Sequence, residues 1–212
     1  MAACVLGRLA QRNDGLPHGI RERRFGKGDK LLVQGEMATV FGVLKVGHAV
    51  IQRRGPDQCE HVLGMLSRKM LFGKSALLNQ VNGFTFVATS AGRVCEIPVE
   101  VVKRLLAQQP QFHDLLIRDR MQVLELLADW TQIVRIRGLR EQVSAALLLL
   151  SQQQGSHVVD LPSQAVLARV LNVRRESIQR GIKQLVAEGR IRRLGRSRIE
   201  LVPGSLLAAL QD

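Results

Sequence analysis

LPSQAVLARVLNVRRESIQRGIKQLVAEGRIRRLGRSRIEL, residues 161–201, is the stretch on which the reading of this chain turns. Ser163 is an N-cap residue for a short helix, since its hydroxyl can accept from a first-turn N–H that has no partner within the helix. Val166, Leu167, Val170 and Leu171 make one apolar stripe of that helix, and Ala168 is small enough for a close helix crossing. Asn172 follows where the chain must turn, and asparagine tolerates the left-handed conformation better than any residue but glycine. A second helix is expected from about Arg174 to Glu188, with Ile178, Ile182 and Leu185 facing inward at offsets of zero, four and seven. Its outer face carries Arg175, Glu176, Gln179, Arg180 and Lys183. These side chains suit base edges in the major groove: arginine bonds guanine O6 and N7 together, and glutamate accepts from cytosine N4. Near the N-terminal end of the second helix, they stand where a recognition helix presents its readers.

Beyond Gly189, Arg190-Ile191-Arg192-Arg193-Leu194-Gly195-Arg196-Ser197-Arg198-Ile199 predicts a two-stranded wing turning at Gly195. Arg193, Arg196 and Arg198 suit phosphate contacts, which add affinity without reading sequence. An ordinary amphipathic helix pair with a solvated basic face would explain the apolar spacing. It would not explain the turn residue and the reading face together.

The bulk of the chain agrees. Its 212 residues carry a formal net charge of +13 at pH 7, which points to an anionic partner. A hydrophobic content of 46% supports a packed core. No run of about 18 apolar residues is present, so no membrane helix is expected. The start, MAACVLGRLAQRND, lacks a basic segment followed by an apolar one, so a cytoplasmic location is expected.

The first half reads differently. Gly26, Gly28, Gly35, Gly42, Gly47, Gly55, Gly64, Gly73, Gly83 and Gly92 punctuate short apolar runs such as Ala49-Val50-Ile51 and Val62-Leu63. Many short strands between turn signals predict an antiparallel roll or jelly roll. From about Gln111 to Ile136 glycine and proline vanish, with Pro110 placed just before a helix start. Ile117, Leu124, Leu127, Thr131 and Val134 line one seam of this long helix, fit for a partner helix in a dimer. Leu116, Val123, Leu126, Trp130 and Ile133 form a second stripe for packing within the subunit. Gly138 marks a hinge, Leu139–Ser151 a core helix, and 152–156 a loop. The expected class is α+β: an N-terminal antiparallel β-roll over 1–109, a dimerisation helix over 110–137, and a C-terminal winged helix-turn-helix over 138–212.

With these residues in view, nearly the whole chain resembles the Crp/Fnr family of bacterial transcription regulators. Gly28-Asp29-Lys30-Leu31-Leu32-Val33-Gln34-Gly35-Glu36 and Val43-Leu44-Lys45-Val46-Gly47 resemble the opening of the family's roll. Phe72-Gly73-Lys74-Ser75-Ala76-Leu77-Leu78 falls where the family has its phosphate-binding cassette. Arg175-Glu176-Ser177-Ile178-Gln179-Arg180 closely matches the recognition helix of cyclic AMP-responsive members. The resemblance implies a cyclic nucleotide-binding-like sensory roll and a homodimer on double-stranded DNA at a palindrome of TGTGA-like half-sites. It also implies an RNA polymerase contact if the protein activates. Arg175, Glu176 and Arg180 become the implied base readers, with Arg174, Ser177, Gln179, Lys183, Arg193, Arg196 and Arg198 as further DNA contacts. By the same resemblance the effector pocket falls at Gly73, Lys74, Ser75, Asn82 and Thr85.

The cassette departs from the family pattern. Cyclic nucleotide-binding members have an acidic residue after the glycine, where this chain has Lys74. They follow with an arginine and a Ser or Thr, where this chain has Asn82-Gly83-Phe84-Thr85. These changes stand against cyclic AMP and leave the signal, an effector or a redox change at the roll, open. An iron–sulfur cluster of the oxygen-sensing type needs four cysteines, against Cys4, Cys59 and Cys95 here. Cys59 and His61, two apart on an expected strand, are the weak candidates for metal or haem, and a surface role for them is preferred. Arg174 stands where a small capping residue is usual. No nucleophile–base set or phosphate-cradling glycine loop is present, so an enzyme is not expected. The alternative reading is a small-ligand or cyclic-nucleotide module acting through a protein partner.

Overall fold

A computed structural model of the chain describes residues 20–66, 70–204 and 206. The start of the chain, with Cys4 and His18, lies outside the described residues. The chain forms two compact units, 1–125 and 126–212.

The first unit holds strands β1 (Arg21–Phe25), β2 (Lys30–Leu32), β3 (Val40–Val46), β4 (Ala49–Arg54), β5 (Glu60–Leu66), β6 (Leu71–Phe72), β7 (Thr85–Ala88) and β8 (Gly92–Pro98). They pair antiparallel in two four-stranded sheets, ordered β1-β8-β3-β6 and β2-β7-β4-β5. Between β3 and β4 only Gly47 and His48 intervene, yet the chain crosses from one sheet to the other there. This is the jelly-roll pattern, with short strands leaving little open edge. Phe72 of one sheet meets Phe86 of the other edge to face, with ring centroids 6.4 Å apart.

Helix α1 (Val99–Gln108) follows Pro98 directly. It is an addition to the expected elements, although Val99, Val102 and Leu106 carry a helical period. Its Val101 and Val102 join Phe41, Val43, Leu71, Ile97 and Phe112 in one buried cluster. Phe112 belongs to α2 (Gln111–Arg135), the long helix expected after Pro110, and the division between the units falls inside it.

The second unit contains α3 (Leu139–Gln154), β9 (Val158–Asp160), α4 (Gln164–Leu171), α5 (Arg175–Ala187), β10 (Ile191–Arg193) and β11 (Arg198–Leu201). Two expectations need correction. Residues 152–154, expected in a loop, are the last turn of α3, because glutamine is a good helix former and the real stop is Gly155. Gly155 adopts the left-handed conformation at φ 60°, with its N–H on Gln152 O and that of Ser156 on Ser151 O. The wing, expected as two strands, gains a third. β9 pairs with β11, so the sheet order is β10-β11-β9. Val159, Ile191, Ile199 and Leu201 are buried there.

Candidate nucleic-acid interface and roll cassette

The helix pair forms as its residues dictate. Ser163 Oγ accepts from Val166 N at 3.4 Å, capping α4. Asn172 takes φ 54°, ψ 43° and closes α4 in the left-handed conformation. Leu167, Ala168, Val170 and Leu171 of α4 and Ile178, Ile182 and Leu185 of α5 are buried, at about 5% exposure or less. Gly181 lets α5 approach α3: a methyl group there would stand 3.2 Å from Val143 Cγ2. Arg174 is the N-cap of α5 and provides no side-chain cap, so the start of that helix lacks the usual local acceptor.

The opposite face of α5 is solvent. Arg174, Arg175, Glu176, Gln179, Arg180 and Lys183 are all exposed, and Ser177 is half-buried. Arg180 Nη2 donates to Ser177 Oγ at 3.3 Å. Among the described residues, the side chains of Arg174, Arg175, Glu176, Gln179 and Lys183 have no hydrogen-bond or ion-pair partner. The wing divides its arginines. Arg198 Nε is tied to Asp160 Oδ1 at 3.0 Å and Arg192 lies 3.7 Å from Glu200, while Arg193 and Arg196 have no partner among the described residues. Arg198 is thus neutralised locally, unlike the other two wing residues singled out in the sequence.

The far end of α5 is anchored through Glu188, which is not among the residues expected to matter from the sequence. Glu188 accepts from Gln184 Nε2 at 2.9 Å and from Arg190 Nε at 2.8 Å, with Arg140 Nη1 of α3 at 3.8 Å. A cavity of about 300 Å³ opens in the same unit, lined by Val134, Gly138, Leu139, Gln142, Leu171 and Val173 among others.

In α2 the two stripes separate cleanly. Phe112, Asp119, Leu126, Trp130 and Ile133 are buried, and Leu116 and Val123 are half-buried. Ile117 and Leu124 are 60% and 68% exposed, Thr131 and Val134 are exposed, and Leu127 is half-buried. Met121, 55% exposed, joins this outer stripe. It is not in the seam expected from the sequence, although it lies four residues beyond Ile117 and three before Leu124.

The cassette residues come together, but on one another. Gly73 is buried at φ 79°, where a Cβ would stand 2.3 Å from Val40 O, so only glycine fits. Lys74 and Ser75 begin a 3₁₀ helix over Lys74–Leu78. The Lys74 ammonium is bound by Asp119 Oδ2 of α2, and Asp119 Oδ1 accepts from Leu71 N at 3.2 Å. Burial pushes the Lys74 amine below the ordinary lysine value, and the Asp119 charge opposes that shift. Ser75 Oγ donates to Asn82 Oδ1 at 2.6 Å, and Asn82 Nδ2 donates to Val33 O at 3.1 Å. Thr85 Oγ1 accepts from Gln34 N at 3.0 Å. A cyclic nucleotide needs a cation for its phosphate and an acceptor for its ribose hydroxyl. The one charged group among these five positions is already neutralised, and it is a cation where the acceptor would be. These residues do not fit that ligand.

The hairpin of β4 and β5 carries the remaining candidates. Cys59 is exposed and lies in the turn just before β5 rather than on the strand, so it does not share a strand face with His61. The reason is Gln58, whose left-handed φ of 60° carries the chain round the turn. His61 Nε2 lies 2.9 Å from Asp57 Oδ2 instead. Among the described residues, no group of three or more His, Cys, Asp or Glu side chains is placed to hold a metal ion.

Two family models match in tandem: the cyclic nucleotide-binding domain over residues 22–109, and the Crp-like helix-turn-helix domain over residues 141–210. The chain belongs to the Crp/Fnr family. Crp/Fnr proteins are DNA-binding transcription regulators rather than enzymes. No curated protein matches the sequence. Solved structures carry the same fold at low identity. FixK2 from Bradyrhizobium japonicum is similar at a TM-score of 0.78 and 16% identity, over 90% of this chain and 96% of that one. A CooA mutant from Carboxydothermus hydrogenoformans is similar at 0.68 and 14%, over 90% and 88%. A CRP-family transcriptional regulator from Thermus thermophilus is similar at 0.66 and 20%, over 89% and 94%. No described helix is long and apolar enough to cross a membrane.

Proposed function

We propose that this Crp/Fnr protein is a cytoplasmic, sequence-specific regulator that binds DNA as a homodimer at a palindrome of TGTGA-like half-sites. The reading rests on the exposed row of α5, whose Arg175, Glu176, Gln179 and Lys183 side chains have no partner among the described residues. Arg175, Glu176 and Arg180 read base edges, as their donor and acceptor patterns allow. Arg174, Ser177, Gln179, Lys183, Arg193 and Arg196 bind the backbone, and Arg198 does so after exchanging Asp160 for a phosphate. Residues 110–137 form the dimer through Ile117, Leu124, Leu127, Thr131 and Val134, with Met121 filling the seam. The roll over 1–109 receives a signal, and a shift of the paired helices re-spaces the two DNA-binding heads formed by 138–212. An activator of this design also contacts RNA polymerase.

Fluorescence anisotropy with a TGTGA palindrome and a scrambled duplex tests the reading, with sedimentation to count protomers. Preference for the palindrome, lost in Glu176→Ala, and a two-protomer complex are expected. Equal binding to both duplexes would overturn the proposal.

A further inference from the structure

Asp119 is the one charged residue in the inward stripe of α2, and a single carboxylate there holds two points of the cassette. Its Oδ1 takes the N–H of Leu71 in β6, and its Oδ2 takes the Lys74 ammonium at the start of the 3₁₀ helix. Both side chains are nearly buried, at 13% and 11% exposure, so water and salt screen the pair poorly. Opening it would leave two charges in a poorly solvated place, so the contact is either made or broken, with little between. The other polar groups of the cassette are equally committed: Ser75 to Asn82, Asn82 to Val33, and Thr85 to Gln34. The Gly35 N–H and the Glu36 carbonyl pair with the backbone of Asn82, at 2.8 Å each. A small molecule entering here would have to displace these bonds before forming its own.

We propose that the Lys74–Asp119 ion pair takes the part of an effector: it joins the cassette to α2 from within the chain, so specific DNA binding requires no small molecule on the roll. A signal at the roll then acts by breaking the pair rather than by filling a site. The inference rests on the DNA-binding reading above. Lys74 is a positioning residue, because it acts on α2 through Asp119 and touches no DNA.

The test uses the full-length protein, shown free of nucleotide by mass spectrometry, and the palindromic duplex. The ligand-free protein is expected to bind the palindrome specifically, with cyclic AMP or cyclic GMP changing Kd by less than about twofold. Lys74→Gln is expected to weaken specific binding by about tenfold, the size of an ordinary coupling between sites. Lys74→Arg, which keeps the charge, is expected to restore it. Hydrogen exchange adds a readout that does not involve DNA. The Leu71 amide and those around Asp119 are expected to exchange faster in Lys74→Gln and at the wild-type rate in Lys74→Arg. Should Lys74→Gln fail to fold, the double variant Lys74→Met, Asp119→Leu leaves no buried charge behind. It is expected to fold and to bind the palindrome weakly. Wild-type affinity in either Lys74→Gln or the double variant overturns the proposal. So does a wild-type protein that binds the palindrome only after a cyclic nucleotide is added, an outcome that leaves the DNA-binding reading standing. A protein indifferent to the palindrome with and without nucleotide overturns the DNA-binding reading instead.

Discussion

On α5, Arg175, Glu176, Gln179 and Lys183 stand in solvent without partners among the described residues, while in the cassette Lys74, Ser75, Asn82 and Thr85 all end on other atoms of the chain. Both regions are built from polar side chains beside an apolar layer. They differ in what those side chains still have to offer. A donor or acceptor already satisfied inside the protein has little net energy left for a ligand, whereas one that faces water can exchange it for a base or a phosphate. The outer face of α5 is therefore open to an outside partner, while the cassette is closed on the inside of the protein.

The strongest challenge to that contrast is a pair of glycines, one in the cassette and one at the end of α3. Gly73→Ala forces a methyl group onto Val40 O in a left-handed conformation, and is expected to cost about 3 kcal/mol or more. Gly155→Ala, at φ +60° with no atom within 4 Å of its Cβ, is expected to cost about 1 kcal/mol. Urea unfolding of the two variants checks this, and equal losses would remove the claim that the cassette is tightly fitted. Arg175→Ala comes next. It should lose about 1–3 kcal/mol at one base pair of the half-site and nothing in folding stability. A uniform loss on every duplex would make Arg175 a backbone contact. Ser163→Ala removes the α4 cap and should lower stability by about 1 kcal/mol, read by thermal denaturation. The smallest effect is expected at Arg196. Its alanine variant should weaken binding to all duplexes alike and lower the salt slope by about one unit, while Arg192→Ala, whose partner is Glu200, should change the slope less. Equal changes in the two slopes would show that Arg192 is as available to phosphate as Arg196.

The DNA-binding half was largely legible because its signals are local. Ser163, Asn172 and the apolar offsets 178, 182 and 185 lie within a few turns of one another, and each acts on its own segment. The roll was legible as a class from its glycines, but the pairing of β3 with β8 or β4 with β7 joins residues far apart in the chain. Met121 and Asp119 were within reach of the pattern. Each falls at the four–three spacing of its stripe on α2, and a charge in the inward stripe implies a buried partner. The identity of that partner was not within reach, because Lys74 lies 45 residues away on another element.

What the sequence alone determined is the family, the strand-rich first half, the long helix and the exposed polar row of α5, since local spacing, turn residues and charge are properties of neighbours in the chain. What only the tertiary structure decided is which polar groups remain free. Arg193 and Arg196 have no partner among the described residues, while Arg198 is tied to Asp160 and Lys74 to Asp119. Availability is settled by what the folded chain brings within hydrogen-bond distance, and separation along the sequence does not report that distance.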